Sequence, residues 1–175
     1  MRDLSLDSLS GFMNGPSPAE HTMYIYFYAI TASRTRSIRF VPNDGTAQQL
    51  KNSGAFRLIR SREVADSIAK YDVNVRNLIR QQEVEETQIS DYRDAASKMF
   101  NALYFEQMLG ADANTTRLTT GNPPLLTYEE TDLETWNYRL YGMKTINRAN
   151  RRDVKFLLGQ ARNLLTVLNK KYHLK

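Results

Sequence analysis

The chain has 175 residues and a formal net charge of +5, with 41% hydrophobic and 25% charged residues. That size favours one domain, and the apolar share is too high for a disordered chain. The absence of cysteine excludes disulfides, thiolate metal sites and cysteine nucleophiles, and with His21 and His173 as its two histidines one chain cannot build a three-histidine metal centre.

Residues 1–18 form an N-terminal lead. Leu4, Leu6, Leu9, Phe12 and Met13 alternate with serines and aspartates as an amphipathic stretch, and Gly15-Pro16-Ser17-Pro18 stops it. The run Met23 to Ile30 follows, rich in tyrosine and isoleucine. Its local propensity favours a strand. A lone strand cannot satisfy its own backbone, and no other segment offers a partner, so a helix is assigned over the 19–39 region. The uncharged run from His21 to Ser33 is thirteen residues long. As a helix it reaches about 20 Å, short of the roughly 30 Å hydrocarbon core of a bilayer. Met1 is followed by Arg2 and Asp3 rather than by the apolar stretch of a signal peptide.

Beyond Val41-Pro42, Asn43 or Asp44 is placed to cap a short helix that ends near Asn52. Gly54 then occupies the position where a left-handed residue closes a helix, because glycine carries no Cβ penalty at positive φ. Phe56, Leu58 and Ile59 are expected to tether the chain, and Ser61 to cap the next helix. Asn52, Ser53, Gly54, Phe56, Leu58 and Ile59 together read as an architectural elbow rather than a ligand site.

The next helix carries the strongest pattern. Val64, Ile68, Tyr71, Val75, Leu78, Ile89, Tyr92, Ala96, Met99 and Leu103 follow steps of three and four, interrupted by Gln82 and Glu85. No proline or glycine occurs from Arg62 to Leu109, so a continuous helix is expected there. Residues 110–126, with Gly121-Asn122-Pro123-Pro124, form the inter-helix loop. Thr127 with Glu130, or Thr131 with Glu134, offers a capping box. A second long helix follows, its seam drawn through Trp136, Leu140, Met143, Val154, Leu157, Ala161, Leu164, Leu168 and Tyr172. Asn147 and Asn150 make that seam polar in the middle, and Gly142 and Gly159 weaken it, so the 142–152 stretch is where a break would fall.

Neither long helix can bury its stripe alone. The expected fold is therefore all-α: a single helical domain over 1–175, an elongated antiparallel bundle of two long helices with shorter N-terminal helices alongside.

The chemistry-bearing patterns are sparse. Ser67-Ile68-Ala69-Lys70 fits the S-x-x-K arrangement in which a lysine takes the serine proton, but Lys144-Thr145-Ile146 lacks the glycine of the companion motif. No Glu-x-x-His, P-loop or Gly-x-Gly-x-x-Gly occurs. Glu83, Glu85 and Glu86, near Arg80 and Arg93, read as a surface ion-pair network. Tyr24, Tyr26, Phe27 and Tyr28, near Arg34 and Arg36, are assigned to the core ahead of base stacking. No catalytic residue, cofactor or metal ligand is assigned, and an enzyme is not expected.

Charge is distributed in blocks. Arg139 to Lys175 holds ten basic residues against Asp153, and Arg34 to Arg62 holds seven against Asp44. The acids gather between Glu63 and Asp94 and again from Glu129 to Glu134. Basic helices lying beside acidic ones account for this pattern most simply. The alternative is a polyanion or membrane-surface binder working through the basic C-terminal helix, with Arg148, Arg151, Arg152 and Lys155 facing the anion.

The segment Gln49 to Arg60, with Leu50, Ser53-Gly54 and Leu58-Ile59, followed by Ile68 and Tyr71, resembles the extracytoplasmic region of a family of membrane-anchored proteins of Bacteroides-type bacteria, a domain of unknown function. The likeness runs from about Thr22 onward. It implies a periplasmic domain tethered to the inner membrane by a segment absent from this chain, followed by long helices, and it carries over no catalytic residue. Together these readings lead to a non-catalytic extracytoplasmic sensor or interaction module. Its expected partner is a protein or small ligand, an anionic membrane surface is the alternative, and nucleic acid is not expected. A homodimer built on an exposed part of the long stripe is a further arrangement to test.

Overall fold

The computed structural model describes the chain apart from residues 1, 16, 35–39, 112–114 and 174–175, and the side chains of 2 and 3. Arg36, Arg39 and Lys175 of the two basic blocks therefore lie outside the described residues. The fold is all-α, with two long helices packed together and shorter N-terminal helices. The helices are α1 (Arg2–Met13), α2 (Thr22–Arg34), α3 (Gly45–Asn52), α4 (Arg62–Met99), α5 (Ala102–Met108) and α6 (Glu130–Tyr172). Short 3₁₀ turns at Pro18–His21 and Ala55–Leu58 precede α2 and α4. Among the described residues there is no strand, and the loop after α5 contributes a single isolated antiparallel bridge, Leu109 to Thr116.

The chain divides into two compact units that share α4 and α6. The first comprises Met1–Ser37 with Val84–Arg148, and the second Ile38–Glu83 with Ala149–Lys175. The cuts fall beside Gln82, Glu85, Asn147 and Asn150, the residues that interrupt both apolar patterns.

In the first unit, Leu6, Leu9 and Met13 of α1 and Ile25, Ala29 and Ile30 of α2 close over Tyr92, Met99, Trp136, Leu140 and Met143 of the long helices. Tyr26 is fully buried and sits at the crossing of several elements. Its hydroxyl accepts the Asn101 N–H at 2.9 Å and donates to the Pro124 carbonyl at 3.0 Å. Phe100, Tyr104 and Phe105 meet its ring edge-on, the arrangement that ring quadrupoles favour. Burial raises the Tyr26 phenol above its ordinary pKa, against the opposing pull of the Asn101 amide. The aromatic run is thus core in large part, though Tyr24 is exposed and stacks on Phe12.

Asn122 supplies the N-terminus of α2 from the distant loop. Its side-chain oxygen accepts from Thr22 Oγ1 and from the Met23 N–H, both at 2.9 Å, and its amide donates to the Ala19 carbonyl at 2.7 Å. Helix starts need such acceptors because their first N–H groups have no intrahelical partner. At the other end of α2, Arg93 of α4 donates to the Ser33 carbonyl at 2.9 Å.

The helix expected to run through Leu109 stops at Met99. Asn101 ends it: its backbone is extended, its N–H goes to Tyr26, and its side chain accepts the Leu103 N–H at 3.0 Å, which starts α5. Leu103, placed on the seam by the pattern, is 62% exposed. Conversely, α6 runs unbroken through 142–152. At Gly142 a Cβ would meet Gln88 Oε1 of α4, the end of a flexible side chain that can turn aside, whereas the space beside Gly159 is open. Helix α6 starts at Glu130, and neither capping box forms among the bonds described; Thr127 Oγ1 instead accepts the Glu129 N–H at 3.1 Å.

Candidate interaction surface

The elbow forms in the second unit largely as its sequence dictates. Helix α3 ends with Ser53 donating to the Gln49 carbonyl at 2.9 Å and Gly54 to Lys51 at 3.2 Å. Gly54 has φ of 71°, the left-handed conformation expected of it. Ser61 Oγ accepts the Val64 N–H at 3.5 Å at the head of α4. Leu58 departs from the tether expectation. It is 78% exposed, while Phe56 and Ile59 are half-buried, because the intervening 3₁₀ turn points Leu58 outward. Asp72 of α4 fastens α3 by pairing with Lys51 and also with Arg76 one turn on. Burial pushes the Asp72 carboxyl up, but Lys51 and Arg76 outweigh it and hold the group below its usual range.

Between α4 and α6 of this unit lies a groove with two lobes that meet at Phe156. One, of about 360 Å³, is lined by Asn74, Asn77, Gln81, Arg80 and Asp153. The other, of about 310 Å³, is lined by Ser67, Lys70, Tyr71, Gln160 and Asn163. Asn74 donates to Gln160 at 2.8 Å and ties the two helices across it. Ser67 and Lys70 therefore share a wall, and among the described residues no hydrogen bond joins them. Glu85, read as a surface carboxylate, is instead 2% exposed and partnered, because it falls on the inward side of α4, while Glu83 and Glu86 are exposed.

The four basic residues singled out on α6 have different surroundings. Arg148 belongs to the first unit, where it and Lys144 pair with Asp7 at 3.2 and 2.7 Å. The Lys144 hydrogen bond is the leading reason that Asp7 sits below its usual pKa. Arg152 meets Asp153 at 3.2 Å, and Arg151 is partnered as well. Lys155 is exposed, as is Arg162 a heptad further on.

The feature that the sequence pattern merged is the outward face of α6. Leu157 is buried against α4, and Leu164 lies beside the groove. Val154, Leu158, Leu165 and Tyr172 are instead 50%, 50%, 59% and 44% exposed, with Ala161 and Leu168 half-buried between them. The six are separated by four, three, four, three and four residues. That spacing keeps them on one line, which is the a/d register of a coiled coil. The doublets Leu157-Leu158 and Leu164-Leu165 carry the signal, since adjacent residues on a helix point about 100° apart and two doublets a heptad apart write two stripes. Val154, Ala161, Leu168 and Tyr172, drawn on the buried seam by the sequence, lie on the second stripe.

Among the described residues no helix is long and apolar enough to cross a membrane. Comparison with protein-family models, curated proteins and solved structures finds no match to this chain.

Proposed function

We propose that this chain is a non-catalytic interaction module whose working surface is the outward stripe of α6. The observation that carries this reading is the exposure of Val154, Leu158, Leu165 and Tyr172 in one regular line. Scattered exposed apolar side chains are ordinary on protein surfaces, whereas a contiguous row marks a place where something else packs. In the setting implied by the family resemblance, the module sits in the periplasm beside the inner membrane, tethered by a separate segment. A partner on the stripe would add packing to the helix pair that Leu157 and the Asn74–Gln160 bond already hold, which gives binding a route to bias that pair.

The test is site-specific photocrosslinking in cells. A probe at Leu165 should yield a discrete product that disappears when Leu158 is changed to Ser, while a probe at Thr145 on the other unit yields none. Equal labelling from both positions would overturn the reading. An anionic membrane surface is the second reading, favoured by the exposed Lys155 and Arg162 bordering the stripe. It predicts lipid rather than protein at the Leu165 probe.

A further inference from the structure

Building on that interaction surface, we propose that the stripe docks an amphipathic helix whose apolar heptads are flanked by acidic side chains. Three observations select this occupant. First, the apolar positions keep the alternating four and three spacing over the 19 residues from Val154 to Tyr172, a length of about 27 Å. A bilayer needs an apolar face but no register, whereas a helix seats its side chains as knobs between residues spaced in this way.

Second, the flank is basic. Lys155 and Arg162 each follow a stripe residue directly, at the position that faces a partner helix across the seam, and both are exposed. Asp153 is the acid of this stretch, and it is engaged by Arg152. A partner therefore gains by bringing carboxylates to that edge.

Third, the same charges disfavour a second copy of this chain. An antiparallel pair through the stripe sets this basic flank against itself, Arg162 against Arg162 or Lys155 against Arg162. A parallel pair sets them against the other flank, Leu157, Leu164 and Lys171, which offers no carboxylate. In the antiparallel pair like charge selects against self-pairing, and in the parallel pair the facing flank supplies no attraction.

The experiment uses the full chain and two labelled synthetic peptides of equal length. Both carry leucine and isoleucine heptads; one has glutamate and the other lysine at every flanking position. Fluorescence anisotropy should show the glutamate peptide binding about tenfold tighter or more. The charge-reversed double variant Lys155→Glu with Arg162→Glu should invert that preference. Leu158→Ser with Leu165→Ser should abolish binding with an unchanged helical circular dichroism spectrum; because these side chains are exposed, folding is not expected to suffer.

Equal affinity for both peptides, or no binding of either, overturns the acidic-helix proposal. Two parallel measurements then separate it from the broader reading. One is co-sedimentation with vesicles of phosphatidylglycerol and phosphatidylcholine in equal parts. The other is sedimentation equilibrium of the chain alone. Binding to vesicles, or dimerisation, that is lost in the Leu158→Ser, Leu165→Ser variant removes the acidic helix and leaves the stripe as an interaction surface. If neither depends on the stripe, the Leu165 photocrosslink decides: a discrete protein product keeps the interaction surface, and its absence removes it.

Discussion

The two compact units use the same pair of long helices and finish them differently. In the first, α1, α2 and α5 close over the pair, and large side chains such as Tyr26, Tyr92 and Trp136 lose all contact with solvent. In the second, the buried cluster is Val75, Leu78 and Leu157, with Phe40, Tyr71 and Ile79 leaning on it. A helix does not bury a fixed share of its apolar residues; it buries those for which neighbours exist. Leucines of equal intrinsic hydrophobicity thus become core where neighbours exist, as at Leu140 and Leu157, and surface where they do not, as at Leu158 and Leu165.

That contrast is broken most strongly at Trp136. Trp136→Ala should cost about 3–5 kcal/mol, as expected for emptying a large aromatic site, and should lower the thermal midpoint measurably by calorimetry. Leu157→Ala, in the thinner cluster, should cost about 2 kcal/mol, the low end for such truncations, because the site borders the groove and collapses more readily. A larger loss at Leu157 than at Trp136 would reverse the ranking of the two units.

Asp72→Asn comes next. The native carboxyl is held below its unfolded value, so its contribution is present above the unfolded pKa and disappears as pH falls through the folded one. The variant should therefore lose stability near neutral pH, by about 1–3 kcal/mol, and lose less than the parent between about pH 5 and pH 2 in urea titrations. Parallel pH profiles would show that the Lys51–Asp72–Arg76 cluster does not fasten α3. The smallest effect is a gain. Gly159→Ala should stabilise by about 0.5–1 kcal/mol, because the helix is continuous there and a Cβ meets open space. The same change at Gly142 should gain less, since the Gln88 side chain must first turn aside.

The helices themselves were legible because period and punctuation agree. Gly54, Ser61 and the seam from Val64 to Met99 follow from local rules, and the structure places them accordingly. The break at Asn101 was not legible, because what ends α4 is a tyrosine hydroxyl arriving from α2, far away in sequence. The continuity of α6 was equally hidden: Gly142, Asn147 and Asn150 suggest a break, yet the helix runs through all three. The outward stripe stood in the leucine doublets, but choosing which of two stripes faces α4 needs the register of the partner helix. The basic residues of α6 showed the same gap, since the pairing of Arg148 with Asp7 joins positions 141 residues apart.

The Asn122 bonds to the start of α2 have a consequence for biosynthesis. They join residues 99 to 103 positions apart, so α2 emerges from the ribosome long before the group that completes its first turn. Until Asn122 has been translated and has swung back, the Met23 amide has only water to bind. In pulse-labelling during refolding it should be among the last to resist deuterium, and in Asn122→Ala it should stay open after the rest of the chain has closed.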